Sequence, residues 1–248
     1  MASGSRSVAA PIVSGGGAPS SAADSDDEPE QLQYKVIILG DGAVGKTSLA
    51  LRFTDDHFNK SYKQTIGLDF FIKQLVLPGD IHVAIQLWDI GGQTIGGRMI
   101  RNYIFGAQAV LLVYDISNYQ SFANLEDWLK LVKSTFEGEQ MPYIALVANK
   151  ADLTHIRTVK PEKHNEFADE HEMYSYFVSA KTGDNVSAAF YRVAADLAGV
   201  VLTKPEVEVA SSVVKANIIN HPKRDTDNPN SVGGEVQNAR ARGGCQIM

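Results

Sequence analysis

The chain has one cysteine, Cys245, among 248 residues. That excludes an intramolecular disulfide framework and a cysteine-based zinc cluster, and it fits a reducing compartment. No apolar run is long enough to cross a bilayer. A spanning helix needs about 18 apolar residues, and the best stretch, 103–116, is shorter and contains Gln108. A basic excess is also missing: 23 Lys and Arg face 29 Asp and Glu, a net charge of −6. A general nucleic-acid binder, which must displace phosphate counterions, is thereby excluded. The first residues offer only Arg6 and a short apolar patch broken by Pro11, not the charged and apolar regions of a secretory signal. A cytoplasmic location is expected.

What is present is ordinary globular composition, 44% hydrophobic and 21% charged, so a buried core is expected. Residues 1–33 are rich in Ser, Gly and Ala and end in Asp24, Asp26, Asp27, Glu28 and Glu30. Such a segment buries too little apolar surface to offset its ordering entropy and reads as a disordered acidic arm. From 203 to 248 the composition turns polar again, with six basic and five acidic residues. This reads as a flexible tether with a short helical start over 207–214. The domain between, 34–202, carries all the strong patterning and shows no internal repeat.

Within it, short runs rich in β-branched residues alternate with helix-like patterns, the sequence form of βαβ units. Strands are expected over 35–39, 68–77, 82–89, 109–115, 143–149 and 174–178, and helices over 46–54, 97–103, 121–135, 161–171 and 186–198. Pro78-Gly79-Asp80 is too short for a crossover, so the second and third strands must run antiparallel. The expected fold is α/β: a six-stranded, mostly parallel sheet with one antiparallel strand and helices on both faces. Ligands of such sheets sit beyond the carboxyl ends of the strands.

There lies Gly40-Asp41-Gly42-Ala43-Val44-Gly45-Lys46-Thr47, which follows a strand, opens a helix and matches G-x-x-x-x-G-K-[ST]. Amides of Gly42, Ala43 and Gly45 can turn inward on phosphate oxygens, Lys46 brings a point charge, and the helix start from Lys46 through Ser48 adds its positive end. Thr47 would ligate Mg²⁺. The loop alone does not choose between adenine and guanine. Downstream come Asn149-Lys150-Ala151-Asp152 and Ser179-Ala180-Lys181. One carboxylate, Asp152, can accept from guanine N1–H and the 2-amino group but would face a lone pair on adenine. Leaving it unsatisfied costs about 1.5–3 kcal/mol or more, which favours guanine. The Lys150 and Lys181 stems can cover the base, Asn149 can hold the loop together, and the Ala180 amide can meet guanine O6. Asp89 closes a strand as Asp89-Ile90-Gly91-Gly92-Gln93. It can hold Mg²⁺ through water, the Gly92 amide can detect a γ phosphate, and Gln93 can orient an attacking water. Thr65 can complete the Mg²⁺ shell when the third phosphate is bound; taken alone it is equally a strand-initiating threonine.

Over 34–202 the chain resembles the Ras-like small GTPases, with each guanine-nucleotide motif in order. Tyr62-Lys63-Gln64-Thr65-Ile66-Gly67-Leu68-Asp69-Phe70 is similar to the first-switch signature of the Rab family, with Leu68 where Val is usual. The resemblance implies a P-loop small G domain, a monomer binding GTP and GDP with Mg²⁺. It implies that Phe58 lies edge-on to the base, that Asn59, Lys60 and Tyr62 border ribose and phosphates, and that Phe70, Trp88 and Tyr103 form an exposed triad read by effectors. It also implies an exchange factor and a GTPase-activating protein. No arginine in the site motifs is an evident finger, Arg98 and Arg101 reading as solvated, so the activating protein would supply one in trans.

Two departures stand out. In the second switch, Ile90 and Gly91 replace the usual Thr and Ala, Thr94 replaces Glu, and Gly96-Gly97 follow. More glycine means more entropy lost on ordering, so slow intrinsic hydrolysis is expected. The alternative is a nucleotide-locked scaffold with little turnover. A metabolic P-loop kinase is disfavoured by the guanine motifs. At the other end, Cys245-Gln246-Ile247-Met248 fits C-a-a-X, with Met favouring farnesyl. Most Rabs end in paired cysteines. One prenyl chain without a polybasic patch binds membranes weakly, so reversible association with the cytoplasmic face and a prenyl-binding carrier are expected, in a switch that recruits effectors in membrane traffic.

Overall fold

The computed structural model describes residues 31–92, 99–203 and 205–206. The acidic arm up to residue 30, the helical start over 207–214, Gln93 and Cys245 lie outside the described residues.

Six strands form one sheet: β1 (Leu32–Leu39), β2 (Leu68–Leu77), β3 (Ile81–Ile90), β4 (Ala109–Asp115), β5 (Tyr143–Asn149) and β6 (Tyr174–Phe177), in the order β2-β3-β1-β4-β5-β6. Only β2 and β3 run antiparallel, Leu77 pairing with Ile81 across the turn at Pro78-Gly79-Asp80. Every other neighbouring pair is parallel. The expected sheet is the observed one. All of β4 is buried, Ala109 through Asp115, as befits a central parallel strand covered on both faces.

The α-helices that lie wholly among the described residues are α1 (Lys46–Asp55), α2 (Ile100–Ile104), α3 (Tyr119–Ala123), α4 (Leu125–Thr135), α5 (Pro161–Glu170) and α6 (Val186–Ala198). Strand side chains alternate between two cores. Val36, Ile38, Ile85 and Val113 meet Leu49 and Phe53 of α1 and Phe190 and Val193 of α6. On the other face Ile37, Leu39, Leu112 and Leu146 meet Ile104 of α2, Phe122 of α3, Trp128 and Val132 of α4, and Ala168 of α5.

Three elements differ from expectation by more than one residue at an end. β1 begins at Leu32, inside the segment expected to be an arm, because β3 offers ladder partners as far as Leu32↔Val83. The helix expected over 121–135 is two. α3 starts at Tyr119, where Asn118 caps it by accepting the amides of Gln120 and Ser121, the ordinary N-cap bond. It ends at Asn124, whose side chain turns away to other partners. Of the helix expected over 97–103, residues 97 and 98 lie outside the described residues; α2 starts at Ile100 and ends where Phe105 turns extended and Gly106 takes a positive φ of 73°.

Candidate functional site

The loop 40–47 leaves β1 and enters α1, and its close approaches leave no room for larger side chains. At Gly45, φ is 96° and an added Cβ would lie 2.5 Å from the Asn149 amide nitrogen. Ala43 also has positive φ, 63°. Three tethers shape the loop. Asn149 Nδ2 donates to Val44 O at 2.9 Å, Lys150 Nζ donates to Ala43 O at 3.0 Å, and the Asp41 carboxylate accepts from Asn124 Nδ2 at 2.6 Å and Trp128 Nε1 at 3.0 Å.

Lys46 is 6% exposed, and its ammonium donates to Gly40 O and Asp41 O at 2.8 Å each. Burial lowers its pKa to about 8 against the opposing pull of the Asp89 and Asp41 charges. A buried ammonium held by two carbonyls is poised for an anion: a phosphate group alongside would favour its charged form.

The hydroxyls of Thr47 and Thr65 share a hydrogen bond of 2.7 Å, and both meet Asp89, Thr47 donating to Oδ2 and Thr65 lying 3.5 Å from the same atom. Asp89 is fully buried, and its Oδ1 has no hydrogen-bond partner among the described residues. Burial pushes its carboxyl pKa up, against the Thr47 hydrogen bond and the Lys46 charge. An orphaned carboxylate oxygen beside two hydroxyls is a set of hard oxygen donors, which suits Mg²⁺ completed by water and phosphate. Among the described residues no group of three His, Cys, Asp or Glu could hold a metal instead.

At the far end, Asp152 Oδ1 accepts the Ser179 hydroxyl at 2.7 Å, while Oδ2 lies 3.5 Å from Lys181 Nζ. Asn149 Oδ1 accepts the Ala180 amide at 3.1 Å. The one side chain thus ties the phosphate loop to the 179–181 loop. Gly91 N–H donates to Gly67 O at 2.9 Å, which brings the two switch segments together. A Cβ on Gly92 would strike Asp41 and the Gly42 nitrogen, so the second switch begins directly against the phosphate loop.

Many of these groups, though not Asp89, which lies fully buried behind Thr47, line one cavity of about 750 Å³, within the range of small-molecule sites. Its walls include the expected Gly42, Ala43, Gly45, Lys46, Thr47 and Ser48, then Phe58, Asn59, Lys60, Tyr62 and Thr65, and finally Gly92, Asn149, Lys150, Asp152, Ala180 and Lys181. Ser179 is fully buried behind Asp152, not on the wall.

Sequence reasoning passed over Leu51, Ile66, Asp69 and Leu153, which also line the cavity, and two carboxylates behind it. Asp115, ending β4, pairs with Lys150 at 2.6 Å, and Asp41 is held as described. A carboxylate at the carboxyl end of a parallel strand is a signal that would have pointed to Asp115. Outside the cavity, Phe70 and Trp88 are register partners whose rings meet edge to face, 5.5 Å apart at 82°. Tyr103 packs on the same core as Trp88. Arg101 is exposed, as expected of a solvated residue.

Residues 35–198 match the model of the Ras family. The chain is 44% identical over 203 residues to the Ras-related protein Rab-28 of Caenorhabditis elegans, covering 82% of each chain. It is 33% identical over 217 residues to Rab-10 of the same organism, covering 88% of this chain and 98% of that one. To Rab-13 of Rattus norvegicus it is 36% identical over 166 residues, 66% of this chain and 79% of that one. The first-switch run Tyr62–Phe70, with Trp88-Asp89-Ile90-Gly91-Gly92-Gln93 and the lone Cys245, resembles the Rab numbered twenty-eight, and the first of these likenesses agrees. A cavity walled by the phosphate loop, on this sheet order, belongs to the same picture: the chain is a member of the Ras family of small GTPases and, within it, of the Rabs.

Proposed function

We propose that the chain is a Mg²⁺-dependent, slowly hydrolysing GTP switch that recruits effectors in intracellular membrane traffic. The observation that carries this reading is the convergence of phosphate-loop groups, the Thr47 and Thr65 hydroxyls and base-recognition groups on the walls of one cavity, with the Asp89 carboxylate bonded to Thr47 behind them. The phosphate loop amides and protonated Lys46 bind the β and γ phosphates. Asp152, oriented by Ser179, accepts from the guanine edge, and the Lys150 and Lys181 stems sandwich the base. Mg²⁺, held by Thr47, Thr65 and Asp89 (the last through water), would supply positive charge opposite the triphosphate. Gln93 orients water for in-line attack, and an activating protein completes the site with an arginine.

Contacts of Thr65 and Gly92 with the γ phosphate order both switch segments, which meet at Gly67 and Gly91. Hydrolysis releases them. The neighbouring Phe70, Trp88 and Tyr103 report that change to effectors. The monomer has an acidic arm ahead of β1, which begins at Leu32, a G domain from there to 202 and a tether over 203–248. Farnesyl on Cys245 gives weak, reversible membrane attachment, cycled by a prenyl-binding carrier.

Glycines at 91, 92, 96 and 97 favour slow turnover and support the second reading, a nucleotide-locked scaffold. Single-turnover GTP hydrolysis separates the two. The switch reading expects slow hydrolysis that Gln93→Leu abolishes, and proteins captured by the GTP-bound form alone. A wild-type rate equal to that of Gln93→Leu leaves the scaffold.

A further inference from the structure

We propose that residues 205–213 form a helix seated in a groove between α1, β2 and α6, so that the C-terminal tether starts from a docked helix and not from the end of α6. The path of the chain leads there. α6 stops at Gly199, whose φ is 69°, and Val200 and Leu202 then turn back to pack on the core shared by α1 and α6. Thr203 follows. Its N–H and its hydroxyl donate to Glu206 Oε2 at 2.7 and 2.8 Å, the glutamate half of a T-x-x-E capping box that marks a helix start. Pro205 and Glu206 are already helical, and proline is suited to a first turn because its missing N–H costs nothing there.

The groove, about 690 Å³, has Phe53, Leu75 and Tyr191 as its apolar surface, Arg52 and Lys73 at its rim, and Pro205 and Glu206 on its wall. The residues that come next are Val207-Glu208-Val209-Ala210-Ser211-Ser212-Val213. Placed at about 100° per residue, Val207, Val209, Ala210 and Val213 fall on one half of the helix and Glu208, Ser211 and Ser212 on the other. An amphipathic segment with its start signal in place emerges beside an apolar groove, and this segment is the occupant we assign.

Docking reaches the ligand cavity through Arg52. Its guanidinium lines the groove and donates to Ala180 O at 2.9 Å and Lys181 O at 3.0 Å. A seated helix therefore braces the 179–181 loop and slows release of nucleotide. This consequence rests on the guanine reading above; the docking does not.

Hydrogen exchange on the full chain tests it. The amides of 207–213 are expected to exchange many times more slowly than those of 215–235. Val209→Asp together with Val213→Asp, neither able to disturb the G domain core, abolishes that protection and speeds release of a fluorescent guanosine diphosphate severalfold. Thr203→Ala weakens the protection independently. Exchange of 207–213 at unstructured rates in the wild type overturns the proposal, as does protection that survives the double substitution. Protection that grows with protein concentration makes a second copy the occupant and also overturns it. Unchanged release in a variant that has lost protection refutes the link to the base loop.

Discussion

The indole N–H of Trp128 donates to Asp41 Oδ1 at 3.0 Å, tying a fully buried side chain of α4 to the phosphate loop. Asn124 takes the other carboxylate oxygen at 2.6 Å, and the Asp41 carbonyl accepts the Lys46 ammonium. One residue thus relays the position of α4 to the buried Lys46 ammonium. Asp41→Ala strands two donors at cost of about 1–3 kcal/mol. Urea unfolding of the nucleotide-loaded protein should show that loss, and an unchanged midpoint would contradict the relay.

The bond between Ser179 and Asp152 makes a more selective prediction. Ser179→Ala leaves the carboxylate in place but unoriented on one side, so affinity for guanosine diphosphate should fall severalfold. Asp152→Ala should lose about 1.5–3 kcal/mol, roughly 10- to 150-fold. Neither should alter the already weak binding of adenosine diphosphate. Competition titrations check both variants.

Thr47 sits where hydroxyl, Thr65 and Asp89 meet. Thr47→Asn removes one hard oxygen donor and crowds the other two. It should weaken the Mg²⁺ dependence of nucleotide retention, so that chelation with EDTA speeds release much less than in the wild type. Equal acceleration in both would exclude Thr47 as a ligand.

His164 provides a pH signature far from the ligand. The ring is fully buried and hydrogen-bonded to the Tyr114 hydroxyl at 3.0 Å and the Ser175 hydroxyl at 2.7 Å. Burial, with the Arg157 charge, holds its pKa down to about 4 from 6.5. The unfolded chain therefore takes up a proton below about pH 6.5 that the folded chain refuses until about pH 4. The His164 contribution is intact above that window and lost as pH falls through it, by about 3 kcal/mol in all. Stability curves of wild type and His164→Gln should converge in slope above pH 6.5 and diverge below it, the wild type falling faster. Parallel curves from pH 7 to 4 would contradict the assignment.

Much of this was readable from residue order. The phosphate loop is local: glycines, lysine and threonine at fixed spacing between a strand and a helix carry their meaning without tertiary context, and Lys46 and Thr47 open α1 on the cavity wall. The antiparallel β2 and β3 followed from a turn too short for a crossover. Other features depend on partners distant in sequence. Leu32 and Gln33 look like arm residues until β3 supplies ladder bonds. Asn124 looks like mid-helix until Asp41, 83 positions away, claims its amide. Ser179 falls within a recognisable motif, but its role behind Asp152 follows only from geometry.

The central claim, that one cavity selects a guanine nucleotide by its two ends, is tested most directly by isothermal calorimetry of GDP and ADP in Mg²⁺ on nucleotide-stripped protein. The account predicts one strong site for GDP and binding at least tenfold weaker for ADP. Equal affinity for the two, or no heat from GDP, would contradict it.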